Sequence, residues 1–199
     1  MQLNKQKLKV GISVGDPNGI GIEVILKSFQ NPEMLKLFNP VIFANIEIIE
    51  FQMRRFNINL ELNSIQTIEK IRNDRVNILN LSKDDFKHNF GKSTTQGGRV
   101  ALNSLLASTT ALKSGEVDAL VTGPINKKNI LSVKFNFVGH TEFFSDCFSS
   151  KSLMFMIGKN LKIGLLTDHI PIDEVSSSIT KKSLREKILK MIKSMQNDF

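Results

Sequence analysis

Two of the three histidines in this 199-residue chain stand in short loop-like motifs. These are Gly139-His140-Thr141-Glu142-Phe143-Phe144 and Thr167-Asp168-His169-Ile170-Pro171. Near neutral pH an imidazole binds a metal, donates a hydrogen bond to a phosphate or moves a proton. His169 follows the apolar run Leu161–Leu166, read as a buried strand, and is placed to ligate a divalent ion with Asp168 as orienting group or second ligand. One histidine does not complete a shell, and His140, Asp146 and Asp173 are the other candidates. His140 precedes a helix for which Thr141 is the expected N-cap, and from there it could donate to a phosphate at the helix start. A capping turn with a hydrogen-bonded histidine is the plainer reading. The third histidine, His88, lies in the polar stretch Lys83–Asn89 and reads as a solvated loop residue.

Two further segments carry possible chemistry. Gly15-Asp16-Pro17-Asn18-Gly19-Ile20-Gly21 lets the backbone turn sharply between a strand and a helix whose free N–H groups suit an anion. Its glycines do not space as G-x-G-x-x-G, and no Gly-Lys-Ser/Thr follows, so neither a Rossmann fingerprint nor a P-loop is present. Thr122-Gly123-Pro124-Ile125-Asn126-Lys127-Lys128 follows a strand read as short and buried, where open α/β sheets bind ligands. Lys127 could hold a phosphate or carboxylate or polarise a hydroxyl. A surface lysine at a helix start is the competing reading.

The elements that must position these residues alternate. Strands are expected at Leu8–Val14, Pro40–Ala44, Arg75–Leu81 and Val117–Thr122, and helices at Ile22–Phe29, Ile46–Phe56, Thr94–Ser114 and Asn126–Leu131. Gly115 is a fitting C-cap for the longest helix. Leu153–Ile157 and Leu161–Leu166 flank Gly158-Lys159-Asn160 as a hairpin. Thr180–Gln196 closes the chain as a helix with Leu184, Ile188, Met191, Ile192 and Met195 on one stripe. The alternation predicts an α/β fold with a mainly parallel sheet, read as a single region over residues 1–199 with no internal boundary.

Composition narrows the function classes. The net charge of +8 suits an anionic ligand, or reflects a lysine-rich proteome. The lysines are scattered, and neither tyrosine nor tryptophan is present to stack bases, so a nucleic-acid platform is not expected. No apolar run reaches membrane-spanning length, Met1–Lys9 lacks a secretory core, and the single cysteine fits the cytoplasm.

Taken in order, the glycine turn, Thr122–Lys127, Gly139–Phe143 and Thr167–Pro171 resemble the 4-hydroxythreonine-4-phosphate dehydrogenase family of vitamin B6 biosynthesis. The resemblance runs from about Lys9 to the closing helix. It implies an isocitrate/isopropylmalate dehydrogenase-like fold with helices on both faces of the sheet, a cleft between two lobes, and a homodimer. It also implies NAD- or NADP-dependent oxidation of 4-phosphohydroxy-L-threonine, then decarboxylation to 3-amino-2-oxopropyl phosphate, assisted by zinc, magnesium or cobalt. By motif, His140 and Thr141 are implied as substrate-binding residues and His169 as a metal ligand. Asp16 and Asn18 are implied near substrate or cofactor, taken here as cofactor-binding, and Lys127 close by as a catalytic group.

Family members run well past 300 residues. Their later part carries two more metal histidines, in Asn-Pro-His-Ala-Gly-type and Tyr-His-Asp-Gln-Gly-type motifs that this sequence lacks. The C-terminal part of the usual fold is therefore expected to be missing, which argues against activity of this chain alone and for poor solubility or a new self-association through the apolar face of the closing helix. The alternatives are a truncated inactive remnant, a partner subunit for a separate C-terminal half, or a dehydrogenase of a related phosphorylated four-carbon sugar acid.

Overall fold

The structure is a computed structural model that describes residues 7–81, 86–131 and 135–198. Its backbone contacts divide it into two compact units, Met1–Val138 and Gly139–Phe199. The division falls where the sequence shows no linker.

The first unit is built from β1 (Lys9–Ser13), α1 (Gly21–Ser28), α2 (Met34–Leu37), β2 (Asn39–Ala44), α3 (Ile46–Arg55), β3 (Leu62–Ile65), β4 (Val76–Asn80), α4 (Thr95–Lys113), β5 (Ala119–Thr122) and α5 (Lys127–Leu131). The five strands form one sheet in the order β3-β4-β2-β1-β5, and every neighbouring pair is parallel. The period-two alternation of β2 sorts its side chains to two cores. Ile42 and Ala44 join Ile22, Leu26, Ile48 and Ile49 of α1 and α3, while Val41 and Phe43 join Ala111 of α4 and Val117. Helices therefore cover both faces, as expected of a parallel sheet. Truncating a fully buried isoleucine such as Ile42 or Ile78 costs about 2–5 kcal/mol.

The helix ends follow local chemistry. Thr94 caps α4 by accepting from the Gly97 N–H at 3.1 Å, and the helix stops before Gly115, whose φ of +75° suits glycine. Asn45 caps α3 through the Glu47 N–H at 2.8 Å. Buried Ser104 of α4 joins helix to sheet, accepting from the Val14 N–H at 3.0 Å and donating to the Phe43 carbonyl.

The second unit contains α6 (His140–Cys147), the antiparallel hairpin β6 (Phe155–Ile157) and β7 (Lys162–Gly164), α7 (Val175–Ser178) and α8 (Lys181–Asn197). Thr180 and Ser183 form a capping box at the start of α8. Met191 of α8 lies over Gly164 of the hairpin.

Four readings of the sequence change. The Val117–Thr122 strand is buried at Val117 and open beyond it: among the described residues β5 is the sheet edge, pairs with β1 alone, and leaves Val121 54% exposed. The Leu161–Leu166 run is likewise open, with Leu161 63% exposed: among the described residues β7 pairs with β6 alone. Gly139, not Thr141, is the N-cap of α6, so His140 is the first helical residue and Thr141 the second. His88 is not a solvated loop residue but lies in a stack of phenylalanine rings.

Candidate functional site

The strand order reverses direction at β1, which has β2 on one side and β5 on the other. Parallel α/β sheets bind ligands outside the carboxyl ends of their strands at such a point. Ser13 pairs with Thr122 there, so the glycine turn and the Gly123–Lys127 segment leave the sheet side by side. The Asp16 N–H donates to the Pro124 carbonyl at 2.9 Å. Gly15 makes this approach possible: its φ is +69°, and an added Cβ would collide with the Pro124 carbonyl.

Asp16 and Asn18 are 7% and 3% exposed, and their bonds are internal. Asp16 Oδ1 accepts from the Asn18 N–H at 2.9 Å, and Oδ2 accepts from Asn129 Nδ2 at 2.7 Å. Asn18 Nδ2 donates to Thr94 Oγ1 at 3.0 Å, and its Oδ1 accepts from the Asn89 N–H at 2.8 Å. Its carbonyl accepts from the Gly91 N–H at 2.9 Å. The Ser93 hydroxyl donates to Asn129 Oδ1. A polar knot thus ties the glycine turn to the start of α4 and to α5. Gly98 of α4 lets the helices touch, since a Cβ there would strike the Asn129 carbonyl.

Lys127, the first residue of α5, is exposed two positions before Asn129. Asn126 starts that helix by accepting from the backbone N–H groups of Lys128 and Asn129 at 3.1 and 3.3 Å. An apolar groove of about 440 Å³ lies beside α1 and β5, with Val24, Ile25, Phe29, Met34, Phe38 and Val121 in its wall. Its lining lacks a charged side chain and offers an anion no ion pair.

The second unit holds the histidine motifs. His140 is half-buried beside Phe144, ring centroids 6.3 Å apart and planes 17° apart. Burial lowers its pKa, so the ring is neutral at pH 7. Its Nε2 is buried without a hydrogen-bond partner among the described residues, and so is Asp168 Oδ2. His169 is exposed with φ at +54°, a left-handed conformation uncommon outside glycine. Among the described residues no three His, Cys, Asp or Glu side chains converge as a metal site would require. His169 by itself does not fit a tightly held divalent ion.

The glycine turn and Lys127 thus share one end of the sheet, while His140, Thr141 and His169 belong to the second unit. Sequence reasoning missed Asn129, Ser93 and Ser104. Nothing in the local pattern separates a buried knot residue from an ordinary helical polar residue.

Residues 36–199 match the family model of the pyridoxal phosphate biosynthetic protein PdxA. The chain belongs to this family. A 4-hydroxythreonine-4-phosphate dehydrogenase of Bacteroides thetaiotaomicron is 32% identical over 199 residues, which is 99% of this chain and 55% of the relative. A Clostridium botulinum protein named provisionally as a D-threonate 4-phosphate dehydrogenase is 28% identical over 193 residues, 94% of this chain and 57% of its own. The chain therefore spans a little over half the length of these curated PdxA relatives. Among solved structures, a Klebsiella pneumoniae 4-hydroxythreonine-4-phosphate dehydrogenase superposes with a TM-score of 0.84 at 20% identity, over 96% of this chain and 59% of that one. The Burkholderia phymatum enzyme of the same name gives 0.83 at 22%, over 93% and 57%. The shared fold is that of PdxA dehydrogenases, with a parallel sheet and helices around it.

Proposed function

We propose that this chain is the amino-terminal part of a nicotinamide-dependent dehydrogenase acting on a phosphorylated four-carbon hydroxy acid. The substrate we favour is 4-phosphohydroxy-L-threonine. Its hydroxyl carbon is oxidised to a ketone, and the β-keto acid loses carbon dioxide to give 3-amino-2-oxopropyl phosphate on the way to pyridoxine 5'-phosphate. The bound NAD or NADP supplies the hydride acceptor. The observation that carries this reading is the 32% identity to a 4-hydroxythreonine-4-phosphate dehydrogenase along the whole of this chain.

The residue roles follow the chemistry available to each. His140 binds the phosphorylated substrate through a neutral imidazole whose Nε2 has no partner among the described residues, and Thr141 in the same helical turn adds a hydroxyl. Lys127 supplies an exposed cation and is the catalytic candidate. Asp16 and Asn18 serve the cofactor through the shape of the turn that their hydrogen bonds fix. His169 contributes one ligand to a zinc, magnesium or cobalt ion. The remaining ligands would have to come from outside the described residues, so we assign the ion no step. We further place the assembled enzyme in the cytoplasm as a homodimer. Among the described residues no helix is long and apolar enough to cross a membrane.

The test combines this chain with the carboxyl-terminal part of the Bacteroides relative and offers 4-phosphohydroxy-L-threonine with NAD or NADP. Formation of reduced nicotinamide supports the reading. Its absence, while the intact relative turns over, overturns it. A second reading, oxidation of D-threonate 4-phosphate, is favoured by the Clostridium relative and is separated by kcat/KM on the two substrates. A third, a non-catalytic partner or remnant, is motivated by the lack of a converging metal-ligand group among the described residues.

A further inference from the structure

The glycine turn is held from outside by a segment that is itself fastened by aromatic stacking. His88 lies face to face with Phe51 of α3, ring centroids 4.0 Å and planes 13° apart. Phe90 lies beside it at 5.3 Å and 15°, and Phe86 meets it edge-on at 4.9 Å. The Arg55 guanidinium sits 4.2 Å over the Phe90 ring, and Phe56 meets that ring edge-on. Residues 86–90 thus rest on the carboxyl end of α3 through rings. Between and just after the stacked rings, the Asn89 and Gly91 N–H groups close on Asn18.

A neutral imidazole suits this stack and a charged one does not. His88 Nδ1 is buried with no hydrogen-bond partner among the described residues. Burial lowers the pKa of His88, and the Arg55 charge lowers it further. The charged groups on the elements around it carry both signs: Glu47, Glu50, Arg54 and Arg55 on α3, Lys87 on its own segment, and Glu23 and Lys27 of α1, which pair with each other; Arg55 is the charge that opposes protonation of the ring. Among the described residues no carboxylate is paired with His88.

We propose that His88 is a latch: while neutral it holds residues 86–91 on α3 and so keeps Asn18 and the glycine turn in place, and on gaining a proton it releases them. It is a positioning residue, acting on the carboxyl end of the sheet through Asn89 and Gly91. The inference does not rest on the dehydrogenase reading, because it concerns the apo chain.

The test is NMR on the full chain from about pH 8 to about pH 5, across the histidine range. The Asn89 and Gly91 amides and the Asn18 carboxamide are expected to shift with the midpoint of the His88 ring. The Gly91 protection factor, corrected for intrinsic exchange, is expected to fall roughly tenfold or more below that midpoint. In His88→Phe, which keeps an aromatic ring and cannot titrate, protection is expected to be equal at both ends of the range. A Gly91 protection factor that ignores the His88 midpoint in the unsubstituted chain overturns the proposal, as does a fall that persists in a folded His88→Phe. The titration of the unsubstituted chain decides the matter even where that variant does not fold.

Discussion

Asp16 keeps a carboxylate among neutral donors, which makes it a sensitive probe of the polar knot. Asp16→Asn replaces an acceptor facing Asn129 Nδ2 with a group that is half donor. We expect a loss of about 1–3 kcal/mol, read as a lower urea midpoint with unchanged slope. His140 makes a second prediction. Its folded pKa is depressed by burial, so its contribution to stability is fully present above the unfolded value of about 6.5 and declines as pH falls below it. His140→Gln should flatten that decline in urea titrations between about pH 7 and pH 5. An equal slope in both proteins would show that the imidazole is not desolvated on folding. In an assembled enzyme, His140→Ala should raise KM for the phosphorylated substrate by roughly 10- to 100-fold with a smaller effect on kcat, if the ring makes a charge-assisted contact.

Helix contact is the next scale, and α4 against α5 is its clearest case. Gly98→Ala places a methyl group on the Asn129 carbonyl and should cost about 1–3 kcal/mol, whereas an exposed helical glycine usually gains from the same change. Thermal unfolding of the two kinds of variant distinguishes close approach from simple helix propensity. At this scale the sequence was largely legible. The apolar face of α1, the span and closing glycine of α4, the alternation of β1 and the short apolar run of β2 follow local pattern, and each formed within a residue or two of expectation. Burial of β5 and β7 was not legible, because an apolar run looks the same in a central strand, an edge strand and a hairpin. The surroundings of His88 were also hidden, since Phe51 lies on α3, before both β3 and β4 in the chain. The glycine turn was visible as a turn, but the partners of Asp16 were not: Asn129 lies 113 residues away.

The whole molecule divides its apolar side chains unevenly. Both core clusters are composed of residues from the first unit, and Phe143 is the one fully buried hydrophobic side chain among the described residues of the second. We therefore expect residues 1–138 to unfold cooperatively when expressed alone, checked by coincident transitions in far-ultraviolet circular dichroism and methyl-proton NMR. Conversely, Ile188, Leu189 and Ile192 of α8 stay 46–57% exposed, as do Met156, Ile157 and Ile163 of the hairpin at 47–59%. Patches of this kind drive association, so sedimentation should show concentration-dependent self-association that Ile188→Lys with Ile192→Lys reduces. The place of β1 in the sheet has a further consequence, for the chain as it is made. β1 is made before both of its neighbours, β2 and β5, and Lys9 meets Asp118 across a separation of 109 residues. At ordinary translation rates that interval lasts roughly 5–20 s. For that time the nascent β1 strand waits with one flank bare, so the span between β1 and β5 is a stretch of synthesis in which a chaperone's protection is expected to matter.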